Sequence, residues 1–278
     1  MDLVIQAPVV GAAELTQIAA LAGSQSVHAL EGGPQAYRLA RIQSRGGIAD
    51  FCTAARIDFA FVPPDLVRDR VSVVAMDMDS TLISIECIDE IADLAGIKPE
   101  VAAITASAMR GEIDFRQSLE RRVALLAGLP EESLLRVYDE RLKLSPGAER
   151  MIAGFKAVGA TILLVSGGFT FFTERLRTRL GLDETLANTI EIAGGRLTGR
   201  IDGPIIDAQA KAERLSSVRE RRARDGGIAI AIGDGANDLP MLRAADLSVA
   251  YHAKPLVRAQ ATYAINHCGL DAILNYFV

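Results

Sequence analysis

The chain has 278 residues, 50% of them hydrophobic and 23% charged, a balance that excludes disorder and fibrous repeats and leaves room for one large domain plus a small one. Thirty basic residues against 35 acidic ones give a formal net charge of −5, which argues against a nucleic-acid polymer or an anionic membrane surface as the main partner. A small anionic substrate stays open, because a local site can be positive on an acidic protein. Cys52, Cys87 and Cys268 are odd in number, widely spread and outside any CxxC pattern, so each is expected to be a small buried residue rather than part of a disulfide framework or thiolate metal site. No stretch approaches the ~18 uninterrupted apolar residues of a membrane span, and Met1-Asp2 lacks the basic start of a secretory signal. The expected location is cytoplasmic.

Along the chain, residues 3–6, 12–22, 26–30, 37–42, 48–55 and 59–62 read as strand, helix, strand, strand, helix, strand. Gly32-Gly33-Pro34 turns the middle pair into a hairpin, and Pro63-Pro64 closes the segment before a short helix. This order predicts a small α+β domain of the ferredoxin-like type. Beyond it, residues 71–76 (VSVVAM), 161–165 (TILLV) and 228–232 (IAIAI) are uninterrupted apolar runs, suited to strands of a parallel sheet buried on both faces. Residues 247–250 and 262–265 are shorter strand candidates. Residues 85–142 carry helical spacing with almost no strand signal, and predict a helical insertion after the first of these strands. Residues 190–206 predict a hairpin around Gly194-Gly195, and the basic run 219–224 (RERRAR) reads as the solvated face of a helix over 207–224. The expected fold class is α/β, with domains at 1–66 and 67–278 and a helical cap near 84–143.

Three strand ends carry chemistry. The first runs into Asp77-Met78-Asp79-Ser80-Thr81, two carboxylates that face one way in extended backbone unless the loop turns between them. Taken alone, this segment reads sooner as an acidic loop capping a helix through Ser80 or Thr81. The strand 161–165 ends in Ser166-Gly167-Gly168, a hydroxyl and flexible amides suited to phosphate oxygens; a serine nucleophile would need a GxSxG turn and a histidine. The strand 228–232 ends in Gly233-Asp234-Gly235-Ala236-Asn237-Asp238, which offers hard oxygens to a small dication. Asp238 occupies the third glycine position of a dinucleotide fingerprint, and the ligand spacing of an EF-hand is absent. Lys211 by itself reads as a surface lysine, Met109 and Phe115 as apolar cap core, and Arg122 as a helix-surface ion pair with Glu120.

Asp-x-Asp, Ser, Lys and Gly-Asp-x-x-x-Asp in this order resemble the haloacid dehalogenase superfamily from residue 71 to the C-terminus. Asp-Met-Asp-Ser-Thr, Ser-Gly-Gly-Phe, Gly-Asp-Gly-Ala-Asn-Asp and the cap stretch from Ala108 to Phe115 followed by Arg122 are similar in particular to its phosphoserine phosphatase family. The resemblance implies a Rossmann-like core, a Mg²⁺ cofactor and hydrolysis of O-phospho-L-serine, the last step of serine biosynthesis, through an aspartyl-phosphate. It implies Asp77 as nucleophile and Asp79 as general acid and base, with the metal held by Asp77, the Asp79 backbone carbonyl and Asp234. Ser166, Gly167, Lys211 and Asn237 would hold the phosphate, supported by Asp238. Glu86 would meet the substrate ammonium and Arg122 its carboxylate, with Met109 and Phe115 shielding the phosphoserine from water. Residues 1–66 are similar to the amino-acid-binding ACT type, which implies a regulatory or dimerisation role and a homodimer. The same chemistry on another small phosphomonoester, transfer to an acceptor other than water, or a ligand-binding regulator with a vestigial catalytic domain stay open as alternatives.

Overall fold

In the computed structural model, which describes residues 1–222 and 226–278, β1 (Asp2–Ala7), α1 (Ala12–Ala22), β2 (Ser26–Leu30), β3 (Gln35–Ala40), α2 (Ile48–Ala55) and β4 (Asp58–Val62) form the first unit. Its strands pair antiparallel in the order β2-β3-β1-β4, the ferredoxin-like arrangement. An antiparallel sheet with one wet face would alternate, yet every residue of β1 is buried. Leu3 and Ile5 pack under the unit's own helices with Ile18, Ile48 and Cys52. Val4, Ala60 and Val62 face the other way, into the same apolar cluster as Val71, Tyr263 and Tyr276 of the larger unit. The seam is also polar: Arg38, 6% exposed, donates Nη2 to the carbonyls of Asn275, Tyr276 and Phe277 at 3.1–3.2 Å, and Asn275 Nδ2 donates to Gln6 Oε1 at 2.8 Å.

After Pro63-Pro64 the larger unit begins with β5 (Val71–Met76). Helices α3 (Cys87–Leu94), α4 (Lys98–Met109), α5 (Phe115–Ala124) and α6 (Glu132–Arg136) form the insertion. Its root is closed by the Ile83–Leu144 bridge and by the Ser84 N–H on Lys143 O at 3.0 Å. The core continues with α7 (Ala148–Lys156), β6 (Thr161–Phe169), α8 (Thr170–Leu180), β7 (Glu184–Ala193), β8 (Arg196–Asp202), α9 (Ala208–Arg222), β9 (Ile228–Gly233), α10 (Leu239–Ala244), β10 (Leu247–Tyr251), α11 (Pro255–Arg258) and β11 (Tyr263–Ile265). The strand order is β11-β10-β9-β5-β6-β7-β8, parallel except for β7 against β8.

The hairpin strand starts six residues before the predicted 190. The first part of β7 pairs parallel with β6, as at Leu163 with Glu184, before its second part turns against β8. Arg219 and Arg221 of the basic run pair with Asp246 and Glu184, while Arg224 lies outside the described residues. All three cysteines are buried and free. No helix among the described residues is long and apolar enough to cross a membrane.

Strand β5 has β6 on one side and β9 on the other, so the chain leaves its carboxyl end in opposite directions and opens a crevice there. The ends of all three strands meet at that crevice, and the helical insertion contributes its other wall.

Candidate active site

A cavity of about 490 Å³ is lined from the core by Asp77, Asp79, Gly167, Asp234 and Asn237, and from the insertion by Glu86, Met109, Phe115 and Arg122. Ser166, Lys211 and Asp238 are buried at its base at 0–1% exposure. The candidate residues named from the sequence thus line one cavity or bond to residues that line it.

The loop after β5 does turn between its two acids. Asp77 closes the strand with its N–H on Ile232 O, and its Oδ1 accepts the Met78 N–H at 2.7 Å. Ser80 takes a left-handed φ of 55°. The turn between the acids comes earlier, at Met78, which is helical after the extended Asp77 (φ −72°, ψ 161°), and Asp79 is aimed differently: its Oδ1 accepts the Cys87 N–H at 3.0 Å, and its Oδ2 stands 3.5 Å from Ser166 Oγ. Instead of capping a helix, Ser80 Oγ donates to Glu86 Oε1 at 2.7 Å and Thr81 Oγ1 to Asp234 Oδ1 at 3.0 Å.

Lys211 is no surface lysine. It sits in the first turn of α9, where Asp207 Oδ1 caps the helix by accepting the Ala210 N–H at 2.9 Å. Its ammonium reaches Asp77 Oδ1 at 2.8 Å and Asp238 Oδ1 at 2.9 Å. Burial opposes its charge, but Asp238 and Asp77 outweigh burial and hold the ammonium above its ordinary range. Asp77 itself is pushed well up by burial and then by Asp238, with Lys211 pulling the other way. Burial also raises Asp79, against the bond from Cys87.

One oxygen each from Asp77, Asp234 and Asp238 lies within 4.8 Å of the other two. Burial and then Asp238 push Asp234 up to about 6, the repulsion that a shared cation relieves. These hard, converging oxygens fit a divalent metal. Asp238 spends Oδ1 on Lys211 and Oδ2 on the Gly235 N–H at 3.0 Å, which suits it to support, while the Asp79 carboxylate is turned away from the trio.

The phosphate-sized end of the site is shaped by backbone. Ser166 to Gly168 drop out of register with β7, a bulge that re-aims them. The Gly168 N–H donates to Ser166 Oγ at 2.8 Å, and a Cβ on Gly168 would come within 2.8 Å of Asp79 Oδ2. Sequence reading missed the brace beneath it: fully buried Asn188 donates to Gly167 O at 2.7 Å and accepts the Ile206 N–H at 2.8 Å. An amide amid the apolar residues of β7 was its one signal. Asp89 and Lys254, which also line the cavity, were missed as well.

The insertion supplies opposite charges. Its α5 begins at a capping box, Asp114 Oδ1 accepting the Gln117 N–H at 2.8 Å, and carries half-buried Arg122. Arg122 forms no pair with Glu120, which stands 3.9 Å from Arg116; its Nε donates to Ser118 O at 3.3 Å. Glu86 is open to the cavity mouth, yet partial withdrawal from water and then Asp79 push its carboxyl up to about 7. Phe115 lies against Gly167, where a Cβ would be 3.0 Å from its ring, and Met109 at the end of α4 is 69% exposed.

Comparison with known proteins agrees with this geometry. The model of haloacid dehalogenase-like hydrolases matches residues 74–243. The phosphoserine phosphatase of Polaromonas sp. (strain JS666) is 55% identical over 217 residues, 76% of this chain and 92% of that one. An unliganded crystal structure of a probable phosphoserine phosphatase from Vibrio cholerae superposes with a TM-score of 0.84 at 36% identity, covering 99% of this chain and 85% of its own. A phospho-aspartyl intermediate analogue of a phosphoserine phosphatase superposes with a TM-score of 0.68 at 37% identity, covering 75% of this chain and 99% of its own. The chain belongs to the haloacid dehalogenase-like hydrolases and, within them, to the phosphoserine phosphatase family.

Proposed function

We infer that the chain hydrolyses O-phospho-L-serine to L-serine and orthophosphate, with Asp77 as the nucleophile. One observation carries this reading: a buried, lysine-held aspartate opens onto a cavity whose other wall presents both a carboxylate, Glu86, and a guanidinium, Arg122. Those two groups complement the ammonium and carboxylate of an amino acid whose third substituent reaches Asp77.

Uncatalysed phosphomonoester hydrolysis is extremely slow, so the site must place an in-line nucleophile and neutralise spreading charge. Both donors to Asp77 fall on Oδ1, leaving Oδ2 for attack on phosphorus. As the Asp77–phosphorus bond forms, the bond to the serine oxygen breaks, and Asp79 delivers a proton to that oxygen. The raised Asp79 carboxyl favours carrying that proton. Water then attacks phosphorus, Asp79 takes its proton back, and Asp77 is released. Lys211 keeps Asp77 oriented, and the Ser166 and Gly167 loop with Asn237 surrounds the transferring oxygens. Asp77 and Asp234 would hold the metal, which we assign as Mg²⁺, with the Asp79 carbonyl completing its protein ligands and Asp238 in support; bound there, the ion lets a carboxylate approach a phosphate dianion.

Residues 1–66 are assigned to a small regulatory or dimerisation unit and 67–278 to the phosphatase, in a cytoplasmic protein closing serine biosynthesis. The test is phosphate release from O-phospho-L-serine with Mg²⁺ and with EDTA, beside a panel of small phosphomonoesters. A higher kcat/KM on a phosphomonoester lacking the amino-acid ends would overturn the substrate assignment.

A further inference from the structure

Lys254 lines the cavity from the core, is exposed, and has no carboxylate within ion-pair distance among the described residues. Its backbone is anchored beside the metal-binding loop: its N–H reaches Asp234 O at 3.4 Å, and its carbonyl accepts the Val257 N–H at 2.9 Å to start α11. Pro255 follows and keeps Lys254 extended, at φ −62° and ψ 151°. Two residues earlier, His252 takes a left-handed φ of 46°, a conformation that its β-carbon disfavours and the surroundings must impose.

The imposing contacts lead out of the catalytic unit. The His252 N–H donates to Ile265 O at 2.7 Å, and its Nε2 donates to Cys268 O at 2.9 Å. Cys268 is held from the other side of the domain seam by Asp58 of β4, a carboxylate 2% exposed. Its Oδ1 accepts the Asn266 N–H at 2.7 Å, and its Oδ2 accepts those of His267 and Cys268 at 3.0 Å. Three successive amides on one carboxylate fix the 266–268 backbone, and through it the turn that presents Lys254.

We propose that Lys254 contacts the substrate phosphate in this site, and that Asp58 of the N-terminal sheet is the positioning residue that holds it there. The inference rests on the phosphatase reading. A phosphate dianion entering the cavity faces Asp77, Asp79, Glu86, Asp89 and Asp234. Lys211 is already committed to two carboxylates, and Arg122 lies on the cap side with the amino-acid end. Lys254 is the uncommitted cation beside the Asp234 loop, and an ammonium on a flexible stem suits a phosphate oxygen as a point charge. The N-terminal unit thereby contributes to the active site without touching the substrate.

The test uses the full chain and two readouts: KM and kcat with O-phospho-L-serine, and the Kd of orthophosphate by titration calorimetry with Mg²⁺ present. K254A should raise both KM and Kd roughly tenfold, the loss of one charge-assisted contact, with K254R recovering most of it. D58N should shift both in the same direction and add nothing in the K254A background, as a residue acting through Lys254 must. H252N keeps a residue tolerant of the left-handed region, removes the link to Cys268, and should repeat the D58N effect even where D58N itself folds poorly. Wild-type KM and Kd in K254A would overturn the role of Lys254. Undiminished D58N and H252N effects in the K254A background would overturn the role of Asp58. A wild-type chain that binds orthophosphate through Lys254 but releases none from phosphoserine would sustain the contact and remove only the hydrolytic reading.

Discussion

The ammonium of Lys211 lies 2.8 Å from Asp77 Oδ1, with the two side chains 1% and 7% exposed. A charge pair so far from water is held by mutual attraction and by Asp238, and deleting one member strands the others. Lys211→Met should abolish turnover and destabilise the fold by about 3–5 kcal/mol, the usual cost of an uncompensated buried charge. The loss, followed by thermal melting, should deepen as pH rises, because the stranded acids are stable only when protonated. A variant as stable as the parent at pH 8 would show that the pair does not hold the site together.

Asp77→Asn should eliminate phosphate release while leaving the circular dichroism spectrum unchanged, since the amide keeps the shape and the Met78 contact but not the nucleophilic charge. Asp79→Asn should slow turnover by roughly 10²–10⁴-fold, the range for a lost general acid. Accumulated phosphoprotein in the Asp79 variant would locate its main defect in the second step.

Arg122→Ala is expected to damage hydrolysis of O-phospho-L-serine at least ~10-fold more than that of p-nitrophenyl phosphate, which has no carboxylate to recognise. Equal losses on the two substrates would make Arg122 a structural residue of α5, working through its bond to Ser118.

Glu86 ties function to pH. Its carboxyl, raised from 4.5 to about 7, binds its proton more tightly in the folded chain than in the unfolded one. Its contribution to stability is therefore present at low pH and lost as pH climbs from about 4.5 to about 7. Recognition of the substrate ammonium runs the other way and needs the ionised form. Glu86→Gln should melt higher than the parent at pH 8 yet bind O-phospho-L-serine more weakly. It should also lose the part of the kcat/KM profile that rises near pH 7. An unchanged profile would free Glu86 from the substrate.

A chain beginning at residue 67 should retain metal-dependent phosphate release per folded molecule but associate in solution. Its removed partner covers apolar residues including Tyr263 and Tyr276 and contacts the last carbonyls through Arg38. Light scattering and sedimentation measure the association. A monodisperse truncated chain with the parent's KM would make residues 1–66 dispensable to the site.

The chemistry was legible in the sequence through the order of its motifs, which resembles a known family; the acids and the serine, though not Lys211 on α9, also end apolar strand runs, and a parallel sheet must bring such ends to one edge. The period-2 and period-3.6 patterns of the sequence likewise announced the four-stranded unit and the helical insertion. Other features depended on groups distant in sequence. Lys211 reads as a surface lysine until folding brings Asp77, 134 positions before it, to 2.8 Å. The turn that splits Asp77 from Asp79 depends on Met78 turning helical straight after the extended Asp77, followed by a left-handed Ser80, which no pattern of polarity encodes. Asn188 and Asp58 stayed silent because a single polar residue carries no periodicity, and the backbone groups that they bond reach them only across the tertiary fold. Whether β1 was half-wet or fully buried was likewise decided by tertiary packing: the second face of its sheet is covered by the catalytic unit, and that burial follows from docking rather than from local sequence.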